Sequence, residues 1–334
     1  MLSSTVSDIY QVHLSTNRTN FPALVLGVIV LAAGLSLFLL PFSLAESGPD
    51  GWRTPYIIAM LVLGFLLLLA FGPVEKYIAP KPFLRWRLLT ERTLLATCML
   101  AATYQVGYYC WNSYFTSFLQ VVNGLTLAQA GYVSSTFDVV SGFFLFLVGF
   151  GIRKTGYFKW LLYIAVPMYT FGQGLMIYFR RPDTSVGYLV MCQIFIALGG
   201  STMIICEQVA VLAVAEHGEA AAVLALLGLF GYMGGAVGNA VSGAIWTNTF
   251  PNELQKRLPA SAMPEFAKIY GDLAKQLSYP MGSPARDAII QSYAVAQTRM
   301  LTAGTAVMAL TLACVFLIKN INVAKIEQVK GTLF

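Results

Sequence analysis

Apolar residues in this chain come in long unbroken runs, separated by short polar connectors. Eight runs are long enough, or nearly so, for a helix to cross a bilayer: approximately Phe21–Leu40, Tyr56–Pro73, Leu94–Tyr114, Tyr132–Phe150, Trp160–Phe179, Tyr188–Ala210, Val223–Trp246 and Met300–Ile318. The second is short and is expected to extend toward Tyr77. About 20 helical residues span a hydrocarbon core about 30 Å thick. Backbone groups in lipid must be paired within the segment, so helices are predicted for all eight runs. The alternation of a membrane β-barrel is absent. The predicted fold class is an all-α polytopic membrane protein with eight transmembrane helices.

Composition agrees. Of the 334 residues, 57% are hydrophobic and 11% are charged, against about 25% charged in a typical soluble domain. A soluble fold of this kind would expose large apolar patches. The net charge of +6 is scattered between the runs. That pattern reads as membrane topology, and no nucleic-acid partner is expected. Arg18, the basic stretch Lys76 to Arg92, the group Arg153, Lys154 and Lys159, and Lys319, Lys325 and Lys330 all fall on one side of the predicted spans. Arg53, Arg180 and Arg181 lie in short loops on the other, with six more basic residues in the long loop before the last span. Long translocated loops weigh less in the positive-inside rule, so both termini are assigned to the cytoplasm.

The long loop, residues 251–299, is punctuated by Pro251, Pro259, Pro264, Pro280 and Pro284. Phe266, Ile269, Leu273 and Leu277 recur in it at helical spacing, which predicts two short helices. The five cysteines and two histidines form no ligand cluster. No metal site and no cofactor are expected. No Ser-His-Asp set, H-E-x-x-H or phosphate-binding loop points to an enzyme.

Polar residues inside apolar runs carry the functional signal, because an ionisable residue there costs about 2.5–3.5 kcal/mol on insertion scales. Asp138 and Glu207 are such residues, and both are candidates for proton coupling. A structural hydrogen bond or an ion pair to a neighbouring helix is the other reading. Gln193 lies two heptads before Glu207, roughly on the same face. In the third run Tyr104, Tyr108, Trp111 and Phe115 form one stripe, flanked by Gln105 and Asn112. Tyr104, Gln105, Tyr108, Trp111, Asn112 and Gln193 are therefore candidate ligand contacts. An interfacial aromatic belt accounts equally well for the residues from Trp111 onward. In the seventh run, Gly231 and Gly235, and Gly234 and Gly238, are spaced for close helix packing.

The connector Gly151 to Trp160 reads GIRKTGYFKW. It resembles a degenerate copy of the cytoplasmic Gly-x-x-x-Asp-Arg-x-Gly-Arg-Arg loop of the major facilitator superfamily. Gly151, Arg153, Lys154, Gly156 and Lys159 carry the likeness, and the acidic position is not filled. LLPFSLA (Leu39–Ala45), CWNSYFTSFLQVVNGLT (Cys110–Thr126) and GYMGGAVGNAVSGAIWTNTF (Gly231–Phe250) resemble the fungal siderophore–iron transporters of that superfamily.

The resemblance implies a fourteen-span transporter of which this chain carries the C-terminal part. Residues 1–20 would be a cytoplasmic segment. Residues 21–92 would be two linker helices and a basic loop, 93–318 a six-helix half with 251–299 outside, and 319–334 a cytoplasmic tail. The resemblance further implies proton-coupled import of ferric siderophore chelates across the plasma or endosomal membrane of a fungus. Its partners would be the chelate, protons, the lipid bilayer and a second chain supplying the missing half. A drug–proton antiporter and a non-transporting membrane fragment are the alternatives.

Overall fold

The computed structural model describes residues 29–42, 44, 51–77, 86–216 and 219–325. The expected N-terminal segment, the start of the first span, the basic stretch 78–85 and the tail from 326 lie outside the described residues. The described residues contain no strand, only an isolated bridge between Tyr157 and Asn322. They fall into two units, 1–91 and 92–334.

The first unit is a helical pair. α1 covers Ile29–Phe42 and α2 covers Pro55–Tyr77. Two glycines set their approach. A Cβ at Gly64 would lie 2.4 Å from the Phe38 nitrogen, and one at Gly34 would lie 3.2 Å from the Leu67 Cβ. A single helical turn, α3, follows at Trp86–Leu89.

The second unit is a six-membered bundle. Its members are α4 (Arg92–Asn112), the broken pair α6 (Leu127–Ser134) and α7 (Thr136–Thr155), α8 (Lys159–Phe179), α9 (Val186–Val214), α10 (Ala220–Arg257) and α13 (Pro284–Leu317). Six helices of the described residues are long and apolar enough to cross a membrane. They are α2, α6–α7 taken together, α8, α9, α10 and α13. α4 is not among them, although it is 21 residues long. Its hydroxyls and amides lower its hydropathy, and the fold compensates by burying it against α9, α10 and α13. Thr97 and Thr103 return their hydroxyls to the Thr93 and Met99 carbonyls, and Thr311 of α13 donates to the Thr103 hydroxyl at 2.9 Å. The exposed faces elsewhere are apolar, as at Phe143, Phe146, Leu147 and Phe150 of α7, and suit hydrocarbon.

Glycine packing holds α10 on α4. A Cβ at Gly234 would lie 2.1 Å from the Ala102 carbonyl oxygen, and one at Gly238 would lie 3.0 Å from the Val106 Cα. Gly235 meets the Tyr109 ring in the same way. A Cβ at Gly231 would meet only the Gln105 side chain, at 4.0 Å, and Gly231 lines the cleft described below.

The long connector differs from expectation at both ends. α10 runs through Pro251 to Arg257, and α13 starts at Pro284. Proline in a helix interior costs about 3 kcal/mol. An aromatic cluster packs around this part of the helix. Trp246 and Phe250 stack at 4.4 Å, and Tyr293 meets them edge-on at 4.8 and 4.9 Å. Pro284 begins its helix, where a missing N–H costs nothing. Between them, α11 (Phe266–Gly271) and α12 (Leu273–Ser278) form the two expected short helices. They break at Asp272, whose carboxylate caps α12 by accepting from the Ala274 N–H at 2.8 Å.

Candidate functional site

A cleft of about 700 Å³ opens beside α4, α9 and α10. Its volume is in the range of ligand pockets, about 300–1,000 Å³. Tyr104, Gln105 and Tyr108 of α4 line it, with Phe137 of α7, Glu207 and Gln208 of α9, and Gly231 and Tyr232 of α10. Glycine again shapes the wall, since a Cβ at Gly200 would lie 3.0 Å from the Tyr104 hydroxyl.

The cleft gathers four of the residues singled out from the sequence: Tyr104, Gln105, Tyr108 and Glu207. Tyr108 meets Phe137 and Trp111, each at 5.5 Å between ring centres. Tyr104 meets Tyr169 edge-on at 5.3 Å. Glu207 is buried at 6% exposure, and its Oε1 has no hydrogen-bond partner. An unpaired carboxylate at that depth is costly, and a protonated one much less so. Gln208, exposed next to Glu207, was not singled out. The signal available was its position, one residue after an intramembrane carboxylate.

Other candidates lie elsewhere. Trp111 is buried and donates to the Tyr169 hydroxyl at 3.1 Å. Asn112 donates to the Tyr108 hydroxyl at 3.1 Å, behind the cleft wall. Gln193 is fully buried and donates to the Val133 carbonyl at 3.0 Å, tying α9 to α6. Its separation from Glu207 has a simple cause: fourteen residues at 1.5 Å each place it about 21 Å away along α9, and the helix drifts by about 40° over the same two heptads. Asp138 is exposed in the first turn of α7, just after the break at Ser135. A carboxylate at a helix N-terminus is favoured by the helix dipole.

The connector between α7 and α8 has a structural arrangement. Gly156 ends α7 with φ +72, and its carbonyl accepts from the Val323 N–H at 2.8 Å. A Cβ there would meet the Asn322 side chain at 2.8 Å. Lys159 donates to the Ile318 carbonyl, and Arg92 to the Phe316 carbonyl at 3.4 Å. Two cations thus satisfy the carbonyl end of α13. Gly151 is half-buried, and Arg153 and Lys154 are exposed.

Two arginines read as loop charges are interior. Arg180 is completely buried at the end of α8. It donates to the Trp111 carbonyl at 2.6 Å and lies over the Phe115 and Phe118 rings at 4.6 and 5.1 Å. α5 (Phe115–Val121) supplies those rings after a sharp bend at Tyr114, φ 60. Arg286, 3% exposed, donates to the Val121, Gln276, Tyr279 and Gln120 carbonyls. It pins α5 and α12 to the start of α13. A charge pattern counts such residues with the exposed ones, because a guanidinium can be held inside by backbone carbonyls, as for Arg286, or by one carbonyl and two ring faces, as for Arg180, whose Nε and Nη2 have no hydrogen-bond partner.

Outside the membrane-spanning segments, Lys275 and Tyr279 donate to Glu265 at 2.9 and 2.6 Å. These contacts hold the Glu265 carboxyl below the usual carboxylate range and raise Lys275 and Tyr279. Among the described residues no group of three or more His, Cys, Asp or Glu side chains converges to hold a metal ion.

No protein-family profile matches the chain. Individual relatives do. The chain is 58% identical over 308 residues to the siderophore iron transporter mirB of Emericella nidulans, covering 92% of this chain and 51% of that protein. It is 57% identical to the MFS siderochrome iron transporter D of Aspergillus fumigatus, covering 93% of this chain and 52% of that one. It is 36% identical to siderophore iron transporter 1 of Schizosaccharomyces pombe, covering 93% and 50%. The chain thus spans about half the length of the curated relatives it matches. By fold, a bacterial homologue of the human lysosomal transporter Spinster matches with a TM-score of 0.51 at 17% identity, covering 89% of this chain and 65% of that structure. The described residues are thus all-α, with six helices long and apolar enough to cross a membrane and the fold of a bacterial transporter, and the chain is similar, over about half their length, to fungal siderophore iron transporters, some of them named as members of the major facilitator superfamily.

Proposed function

We propose that the chain forms one half of a proton-coupled importer of ferric siderophore chelates. The observation that carries this reading is the Glu207 carboxyl, buried and without a partner at Oε1, in an aromatic-walled cleft of a chain related to siderophore iron transporters. In such a chelate the siderophore already fills the coordination of iron. The protein then needs no metal ligands, only faces that accept a bulky amphipathic complex. Tyr104, Tyr108, Phe137 and Tyr232 offer ring surfaces, and Gln105 and Gln208 offer amides. Glu207 takes a proton when the cleft opens to the acidic side and releases it on the other, which couples transport to the gradient. Asp138 is the second candidate for that role. The chain's part is transport, with no catalysis.

The missing half comes from the remainder of a longer gene product or from a second chain. Substrate sites in transporters of repeated halves lie at the repeat interface near the bilayer midplane, so one half supplies half a site. Both termini face the cytoplasm, the long connector faces outward, and the membrane is the plasma or endosomal membrane of a fungus.

Uptake of radiolabelled ferric siderophores, measured in yeast lacking its own siderophore uptake and expressing the completed gene, tests this reading. Saturable, gradient-dependent uptake of a ferric hydroxamate is expected. Surface-expressed protein that moves none of several chelates would overturn it.

A further inference from the structure

A second polar recess of about 300 Å³ lies between α10 and α13, lined by Asn248, Thr249, Asn252, Glu253, Lys256 and Arg299. It shares no residue with the cleft. Its depth in the membrane follows from α13. The nineteen residues from Met300 to Ile318 carry no charge, and they are bracketed by Arg299 and Lys319. At 1.5 Å per residue that stretch is about 28 Å long, the thickness of the hydrocarbon core. Arg299 therefore sits at headgroup level. It donates to the Thr249 hydroxyl at 3.3 Å, which puts that part of α10 at the same level.

The side chains there have unused capacity of two kinds. Arg299 is exposed, and among the described residues it forms no ion pair. A guanidinium carries five N–H donors in a fork that fits phosphate, and only one contact is made. Asn248 and Asn252 each give their amide N–H to a helical carbonyl, at 2.7 Å, which leaves their amide oxygens as acceptors at exposed positions. The Glu253 carboxylate accepts from Lys256 and Arg257 on its own helix and lines the same recess.

Arg299, the cation of the recess that is not paired to Glu253, beside acceptor oxygens and that carboxylate complements a ligand with an anionic phosphate and an N–H-bearing cation. We propose that this recess binds the phosphoethanolamine headgroup of a membrane phospholipid, its phosphodiester on Arg299 and its ammonium on the Asn248 and Asn252 oxygens and Glu253. A choline headgroup has no N–H to donate and would use only the phosphate part. The assignment rests on the membrane reading of the chain. It is independent of transport and of which side the long connector faces.

The full chain, purified in detergent, can be titrated with phosphatidylethanolamine, phosphatidylcholine, diacylglycerol or inorganic phosphate and read by native mass spectrometry. The ethanolamine lipid is expected to give the most persistent adduct. Arg299→Gln is expected to weaken it about tenfold, and Arg299→Lys to retain most of it. Asn252→Ala, at an exposed position, is expected to lower the preference for ethanolamine over choline. Equal adducts in Arg299→Gln and the parent chain overturn the proposal, as do equal adducts with choline lipid or diacylglycerol. Binding of inorganic phosphate without discrimination among lipids makes it a free-anion site and overturns the lipid assignment. If Arg299→Gln does not purify as a monodisperse species, an unchanged ethanolamine preference in Asn252→Ala overturns it.

Discussion

The cleft and the long-connector end of the bundle are built from the same materials, aromatic rings with a few buried charges, and they use them in opposite ways. At the connector end each of the three guanidinium nitrogens of Arg286 donates to a carbonyl oxygen, and Tyr293 donates to Gln276 at 2.8 Å while Gln276 donates to Ile269 at 2.7 Å. In the cleft, Glu207 keeps an oxygen with no partner. Satisfied buried charges rigidify a fold, whereas an unsatisfied one is tolerated where a ligand or a proton completes it. That difference sets Arg286 apart from Glu207; Arg180, whose unpaired nitrogens lie against the Phe115 and Phe118 rings outside the cleft, stands between them.

Four experiments bear on that contrast. Arg286→Ala should have the largest effect on stability. It strands several buried carbonyls and should cost about 3 kcal/mol or more, read as a fall in the thermal unfolding midpoint of the detergent-solubilised chain. A midpoint equal to that of the parent would mean the connector end does not depend on this pin. Gly234→Ala comes next. The added Cβ meets the Ala102 carbonyl, a backbone atom that cannot step aside. Overpacking of this kind costs about 1–3 kcal/mol, more than the helix-propensity gain of about 1 kcal/mol. Unchanged or raised stability would mean that α4 and α10 slide freely.

Glu207→Gln should move stability little, within about 1 kcal/mol and in the stabilising direction, because it removes an unpaired charge at constant shape. In the two-half importer proposed above it should abolish proton-driven accumulation while leaving chelate exchange. Asp138→Asn provides the parallel measurement for the second carboxylate. Accumulation unchanged in both would return them to structural roles. The smallest effect belongs to Glu265. Its folded carboxyl is depressed, so its contribution is complete above the usual carboxylate range and fades as pH falls through the depressed value. Limited proteolysis of the 259–283 segment should quicken only under such acid conditions, and Glu265→Gln should quicken it already at neutral pH.

The sequence was most readable where physics is one-dimensional. Length and hydropathy expose a lipid-spanning helix without any knowledge of its neighbours, so the all-α membrane fold followed directly. The spacing of Phe266, Ile269, Leu273 and Leu277 likewise yielded α11 and α12. Pairings were less readable. Whether a polar side chain in a helix faces a cleft or a neighbour's carbonyl depends on angles that accumulate along the helix. Tyr104 and Gln193 therefore looked alike in sequence and diverged in the fold. Arg180 and Arg286 show the same limit from the other side. Their interior positions depend on where distant helices end.

α4 has a further consequence for how the protein is made. Helices that partition into lipid on their own merit can be released from the insertion machinery one at a time. α4 is less apolar than the other members of its bundle, and two of the helices that shield it, α10 and α13, are synthesised long after it. The polar face of α4 therefore gains its full cover only when α10 arrives with its glycine face. Biogenesis of this unit is thus a late, concerted closure around α4, and chains arrested before Gly234 should be substrates for quality control.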